Sequence, residues 1–399
     1  MTPESSETRL ERWGWWLYFA GVPFGGWSSP GILVLLAAAL ERHRHRYRGR
    51  DCDRPAAPDI WYRRAVILMI ASYVASWIPA VSKLDAIGTT VGFAVALLIG
   101  LSISRHPEYL TCEWVRTHLW PLPLAASLHA GIAWYLYLHT GTRTAGITGN
   151  PNHLGTLLLV SAWLGGAYFA SCSGKRRLLF IPYEILILLG LVASESRGSW
   201  VGLVAGGVIF LVLAVRSVSW SRLRKPLMTG VILFLLISPV AGMVAPEEHW
   251  PERMRTIFDL AANQDRLVVY QTSWNAFLDN PIAGIGLNNL KWRYEDYRPA
   301  GASGTQGIAH NLELQALAET GIPGAVATLL LIGVWLVGGF PGRRADPVRL
   351  LAYSLLVALL VRDQFDGALL NWNEAVLAYG LAGALLAARN AAEAARNSQ

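Results

Sequence analysis

Apolar stretches recur along the whole chain, at about 13–26, 30–41, 61–80, 86–104, 119–138, 153–172, 178–193, 199–215, 227–245, 316–340, 350–361 and 373–388. A helix needs roughly 20 apolar residues to cross the hydrocarbon core of a bilayer. These stretches lie near or below that length. The pattern predicts an all-α polytopic membrane protein with about 12 transmembrane helices. Between the first two, Gly25-Gly26-Trp27-Ser28-Ser29-Pro30 must make a tight outer turn. One long hydrophilic stretch interrupts the series. The expected organisation is therefore 1–245 as transmembrane helices 1–9, 246–309 as an outward-facing loop with short helices, and 310–399 as a further helix followed by transmembrane helices 10–12.

Composition agrees. Of 399 residues, 53% are hydrophobic and 15% charged, against about 25% charged in a soluble domain. These figures exclude a disordered chain, a disulfide scaffold and a soluble globular enzyme. Cys52, Cys112 and Cys172 form no CxxC pair and no framework. No cleavable signal peptide is visible, because residues 1–12 are polar and Pro, Gly and Ser interrupt the first apolar stretch.

Charge then orients the bundle. With the N-terminus in the cytoplasm, 24 of the 34 basic residues fall on the inner side. Ten fall outside, six of them in the long loop. The opposite orientation would reverse that ratio and violate the positive-inside bias. Both termini and all three cysteines are thus expected on the cytoplasmic side, where thiols stay reduced. The net charge of +7 reads as a topology signal beside anionic lipid, with no nucleic-acid partner. The tract Arg42-His43-Arg44-His45-Arg46-Tyr47-Arg48 is read the same way. Trp13, Trp61, Trp77, Trp120, Trp200 and Trp372 lie near helix ends, as an interfacial belt would.

The long loop carries six basic and eight acidic residues. In it, Asp265 can cap a helix whose Leu267, Tyr270, Trp274, Phe277 and Leu278 line one face. Asn280-Pro281 ends that helix. Gly284-Ile285-Gly286 turns the chain, and Asn288 to Tyr297 forms a second short helix. Pro299 to Ala309, rich in Gly and Ser, reads as a mobile strap. A helix of about ten residues follows, opened by His310 or Asn311 and stopped by a left-handed Gly321, with Pro323 starting the next turn. His310 at this end is either a polar cap at the headgroup level or a proton acceptor.

His310-Asn311, nine residues, Gly321, two residues and Gly324 resembles the signature of the O-antigen ligase and polymerase superfamily. Gly149-Asn150-Pro151-Asn152, Ser196-Arg197-Gly198, Asp265-Arg266 and Asn280-Pro281-Ile282-Ala283-Gly284-Ile285-Gly286 extend the resemblance in order over roughly residues 145–385. The resemblance implies a GT-C-like glycosyltransferase of the bacterial inner membrane with a periplasmic active site. Its donor would be an O-antigen glycan on undecaprenyl pyrophosphate and its acceptor the lipid A–core. The His-Asn element is shared by ligases, polymerases and protein O-oligosaccharyltransferases and does not separate them. The ligase is favoured because the single outer loop runs directly into the His310 helix. A transporter of lipid-linked glycans is the non-enzymatic alternative. It should place charges near the bilayer midplane, whereas these cluster at the outer boundary.

A pyrophosphate leaving group must be held by cations. The one DxD, Asp51-Cys52-Asp53, lies between Arg50 and Arg54 on the inner side, so no metal or other cofactor is expected. Arginine, always charged and able to pair phosphate through two bonds, is the alternative. Only Lys83, Arg143, Arg197 and Arg362 occupy the short outer connections. Arg197 and Arg266 are the expected pyrophosphate ligands, Lys83 and Arg143 weaker ones, and headgroup snorkelling is the competing reading for Arg197, Lys83 and Arg143. His310 is the expected general base. Asn311, Asn152, Asp363 and Asp366 are candidate supporting groups, Asp363 and Asp366 being equally explicable as partners of Arg362. His129 and His139 are read as packing or interfacial residues. Trp250, Trp274, Trp292 and Tyr294 suit sugar stacking and interfacial anchoring equally well.

Overall fold

A computed structural model of the chain describes residues 9–24, 29–35, 37–38, 57–106, 109–217, 264–302, 307–343, 345–367 and 372–397. Among these residues there is no strand. Helices α1 (Arg9–Gly21), α2 (Ala57–Ala75), α3 (Lys83–Ile103), α4 (Cys112–His118), α5 (Pro121–Thr140), α6 (Pro151–Ser171), α7 (Phe180–Ser194) and α8 (Arg197–Ser217) come first. They are followed by α9 (Gln264–Asp279), α10 (Leu290–Tyr297), α11 (Leu312–Gly338), α12 (Pro347–Asp366) and α13 (Trp372–Asn397). Among the described residues, six segments are long and apolar enough to cross a membrane: Lys83–Ile103, Pro151–Ser171, Gly174–Ser194, Arg197–Ser217, Leu312–Gly338 and Glu374–Ala394. The described part of the protein is thus all-helical, with several membrane-spanning candidates. The expected turn at Gly25-Gly26-Trp27-Ser28-Ser29-Pro30, the stretch 227–245, the Arg42–Arg48 tract, Asp51-Cys52-Asp53 and Trp250 lie wholly or largely outside the described residues.

The chain forms two compact units, each assembled from separated segments. The first comprises 1–54, 106–251 and 341–355. Its core packs Ala126, Ala130 and Ala133 of α5 against Leu154 and Leu158 of α6 and Ile187 and Leu191 of α7. Small residues set the approach. A Cβ on Gly190 would lie 2.8 Å from Leu158 and 3.0 Å from Ala130. Lipid tails are as apolar as these side chains, so close van der Waals fit rather than burial from water holds such helices together. Trp200 belongs to this core and is buried. It is not part of an interfacial belt: its place one turn into α8 is decided by a neighbouring helix, which periodicity does not reveal. Trp13, Trp61 and Trp120 are exposed as expected.

The second unit comprises 55–105, 252–340 and 356–399. Here α3 runs against α13, and α2 and α9 both pack on α11. The helix expected after His310 is present, with Asn311 as its N-cap. Gly321 breaks it at φ 65°, ψ −164°. This is not the left-handed helical stop expected but a nearly extended backbone with positive φ, open in practice only to glycine. Pro323, lacking an N–H, falls in the first turn beyond the break, where no donor is required.

A break within a buried helix strands backbone groups that must find partners inside the protein. The 281–286 turn satisfies them. Ile285 N–H donates to the Ala318 carbonyl (2.9 Å), Gly286 N–H to the Glu319 carbonyl (3.0 Å), and Ile322 N–H to the Pro281 carbonyl (2.8 Å). Contact is backbone to backbone. A Cβ on Gly284, at φ 66°, would lie 2.2 Å from the Glu319 carbonyl carbon, and one on Gly321 would lie 2.5 Å from the Ile282 carbonyl oxygen.

Around this joint Val269, Ala276, Ile285, Leu290, Tyr294, Tyr297, Ala309 and Ala318 form a small core. The buried face of α9 is Val269, Thr272, Ser273 and Ala276. Leu267, Trp274 and Leu278 are exposed instead. The expected stripe was the wrong one, because small residues let α9 lie close to α11 and the large apolar residues are left outward. Asp265 lies in the first turn of α9, after Gln264, not ahead of it as a cap.

Gly284→Ala should lower the apparent unfolding midpoint of the purified protein, at a cost of at least about 2 kcal/mol. Gly88→Ala, where a Cβ meets nothing within 4 Å, should leave the midpoint unchanged or slightly raised. Equal midpoints for the two variants would dismiss the tight joint.

Candidate active site

His310 is half-buried, with φ at 51°. The chain on both sides of it is tied down. Ala309 N–H donates to Gln315 Oε1. Asn311 Oδ1 accepts the Leu314 N–H (2.9 Å) as an N-cap, and Asn311 Nδ2 donates to Gln364 Oε1 (3.1 Å). Gln364 Nε2 in turn donates to Glu313 Oε1 (3.1 Å), while the Gln364 carbonyl accepts from Tyr270 Oη (3.3 Å). Gln364 thereby joins α9, the first turn of α11 and the end of α12. Glu313 Oε2 is buried and has no hydrogen-bond partner.

Glu319, only 2% exposed, closes the same helical segment. Its Oε2 accepts the Asn288 N–H (2.8 Å) and its Oε1 the Leu290 N–H (3.0 Å). These donors start α10, whose N-cap Asn289 makes no side-chain cap bond of its own. A carboxylate from α11 therefore caps α10, a placement favoured by the helix dipole. Asn289 instead binds the start of α3, accepting the Ser82 N–H on Oδ1 (2.7 Å). Glu319, Gln315 and Gln364 were not singled out from the sequence. Their partners lie 29, 6 and 53 residues away, and the longer two separations leave no local pattern.

Arg362 and Asp363 are both buried and face each other, Nη1 to Oδ1, at 3.5 Å. Of the two explanations left open for Asp363, the contact with Arg362 is present. The Asp366 side chain lies outside the described residues. Lys83, the first residue of α3, donates from Nζ to the carbonyls of Trp77 and Ile78 (2.6 Å each). Arg266 is half-buried in the first turn of α9.

The first unit carries Arg197 and Arg143. Arg197 is the first residue of α8 and half-buried. Arg143 donates from Nε to the Ser194 carbonyl (2.9 Å) and from Nη2 to Asn152 Oδ1. It thus ties the end of α7 to the start of α6, where Asn150 is the N-cap and Pro151 follows. His129 supports the same turn from beneath. It is fully buried; Nδ1 pairs with the Pro23 carbonyl and Nε2 accepts the Ile147 N–H (3.1 Å). That pairing requires the Nδ1–H tautomer and makes His129 a packing residue, as expected. His139 is exposed and bonds only locally, to the Tyr135 carbonyl (3.0 Å).

The structure therefore brings Asn311, the neighbour of His310, together with Gln364 and Glu313, and Arg143 together with Asn152. Lys83, Arg266, His310 and Asp363 belong to one unit, Arg143 and Arg197 to the other. Among the described residues no three His, Cys, Asp or Glu side chains gather as a metal site would require.

Residues 183–329 match the family described as O-Antigen ligase, so the chain carries an O-antigen ligase family domain. It is 29% identical over 187 residues to a Rickettsia conorii protein named "Putative polysaccharide ligase", and 28% identical to a protein of the same name in Rickettsia felis. Each match covers 45% of this chain and 44% of the relative. The chain thus spans less than half the length of these curated relatives.

Asn311→Ala should cost about 1 kcal/mol of local stability and speed hydrogen exchange at the amides of Leu312 to Gln315. Asn311→Asp keeps the capping oxygen and should preserve their protection. Exchange unchanged in Asn311→Ala would remove the cap from the design of this helix end.

Proposed function

We propose that this protein is an O-antigen ligase of the bacterial inner membrane, transferring glycan from undecaprenyl pyrophosphate to the lipid A–core at the periplasmic face. The observation that carries the reading is the family match over 183–329, which takes in Arg197, Arg266 and His310 together. Local geometry supports it. Arg197 opens α8, Arg266 lies in the first turn of α9, Lys83 opens α3, and His310 stands two residues before α11. Helix N-termini carry partial positive charge and attract anions. Cations placed at such ends repel the dipole unless an anion lies between them. A pyrophosphate is such an anion, and the positive-inside bias makes basic residues on the outer side unusual in any case.

On this reading Arg197 and Arg266 are assigned to the pyrophosphate, with Lys83 and Arg143 as weaker candidates. His310 takes the proton from an acceptor-sugar hydroxyl. The hydroxyl oxygen attacks the anomeric carbon, the bond from that carbon to the phosphate oxygen breaks, and undecaprenyl pyrophosphate leaves with the electron pair. Attack opposite the leaving group inverts the anomeric centre. The donor is already activated, so neither ATP nor a nucleotide sugar enters. Charge neutralisation is assigned to guanidinium groups, so the reaction needs no metal. The bundle of about 12 transmembrane helices, the loop over 246–309 and the GT-C-like fold belong to the same proposal.

A strain lacking the protein should accumulate undecaprenyl-linked long chains while its lipid A–core stays bare on a glycan gel. Loss of long chains altogether would mark a polymerase instead, and intact lipopolysaccharide with altered protein glycans would mark a protein oligosaccharyltransferase. His310→Ala should lower transfer at least about 100-fold with the protein still folded in the membrane; substantial residual transfer would remove His310 as the base. Arg197→Lys should lower it roughly tenfold or more, since an ammonium cannot reproduce a two-bond grip. Wild-type turnover in that variant would reduce Arg197 to a snorkelling residue. Transfer should persist in EDTA; activity lost and then restored by a divalent ion would contradict the metal-free proposal.

A further inference from the structure

Two exposed indoles of the second unit have opposite surroundings. Trp274, 46% exposed, shares the outward side of α9 with Leu267 and Leu278. That apolar strip suits a ring lying among lipid headgroups. Trp292, 57% exposed, stands on α10, whose buried side is Leu290, Tyr294 and Tyr297. The outward side of α10 consists of Lys291, Trp292, Glu295 and Asp296. A large aromatic surface is thus presented to water among charged groups.

The indole is also fixed. Trp292 Nε1 donates to Asp85 Oδ2 at 2.6 Å, and the same oxygen holds Lys291 Nζ at 3.1 Å. Lys291 Nζ lies 5.7 Å from the Trp292 ring centroid. An interfacial Trp typically keeps its N–H edge for water and headgroups. Here that edge is turned toward α3 and occupied, and carbon surface is left outward. A rigid aromatic surface flanked by carboxylate and ammonium groups matches a pyranose, which offers one face of C–H bonds and a rim of hydroxyls.

We propose that Trp292, oriented by Asp85, is a carbohydrate subsite that stacks on a pyranose ring of a glycan being transferred, with Lys291 and Asp296 meeting its hydroxyls. Asp296, one helical turn from Trp292, is held by Arg293 Nε on Oδ2 (2.7 Å), which leaves its other lone pairs to accept. The inference rests on the glycan-transfer reading for its ligand, and both donor and acceptor glycans carry such rings.

The test uses the full chain in lipid nanodiscs, labelled with 5-fluorotryptophan, the Trp292 resonance being assigned with Trp292→Phe. The probes are two lipid-free fractions released by mild acid from the organism's lipopolysaccharide: core oligosaccharide and O-antigen polysaccharide. One or both should shift the Trp292 resonance saturably, and which fraction does so identifies the source of the sugar. A headgroup-spin-labelled lipid should leave that resonance sharp. No shift with either fraction at millimolar sugar overturns the subsite, as does broadening by the lipid, whatever the sugar does. In transfer assays Trp292→Ala should raise KM for one glycan substrate about tenfold with kcat within about twofold. Trp292→Phe, which keeps a ring, should show only a small part of that rise, and Asp85→Asn, which keeps an acceptor for the indole, should stay near the wild-type KM. A kcat loss at constant KM would also overturn the proposal. A saturable shift in a protein that transfers no glycan would refute the ligase reading and leave the subsite standing.

Discussion

A helix that breaks inside a packed interior must find new partners for the backbone groups it exposes, and the second unit is organised around that requirement. Gly321 makes the break, and the turn at 281–286 supplies donors and an acceptor for it. The carboxylate of Glu319 then extends the joint sideways to α10, and Asn289 carries it on to the start of α3. Three stretches distant in sequence, the start of α3, residues 281–297 and the first half of α11, are thereby held together by hydrogen bonds. The segment that begins at Asn311 is consequently a rigid mount for His310, not the frayed end of a long helix.

The cations obey a related logic. Arg143 and Lys83 spend hydrogen bonds on carbonyls at the ends of neighbouring helices. Arg143 also holds Asn152. Such residues pin the turns between neighbouring helices while keeping positive charge there. The same type of side chain thus shapes each turn and sets its electrostatic character.

Local features of this fold were legible in the sequence, and features decided across the structure were not. Asn150 with Pro151, Asn311, and Gly321 with Pro323 each act through their own backbone within a few residues, so composition at a helix end announces them. The inward face of α9 is decided by how closely another helix can approach, and that selects Thr272, Ser273 and Ala276 over the larger Leu267 and Trp274. Trp200 sits in a core for the same reason. Glu319 looked like an ordinary helical acid because its partners come from another segment. Gln364 lay in a motif noted for its charged neighbours, and its amide proved to be the group that reaches Asn311. The helix start at 310–311 was readable because the Asn311 cap acts on the turn that follows it.

The break at Gly321 also separates two mechanical tasks. A transmembrane segment tilts when the surrounding bilayer thins or thickens. In a continuous helix that tilt would swing the outer tip sideways and change its depth. Here the portion bearing His310 takes its bearing from α9, α10 and the 281–286 turn. The direction of that portion is therefore referenced to protein contacts rather than to the lipid around the rest of α11.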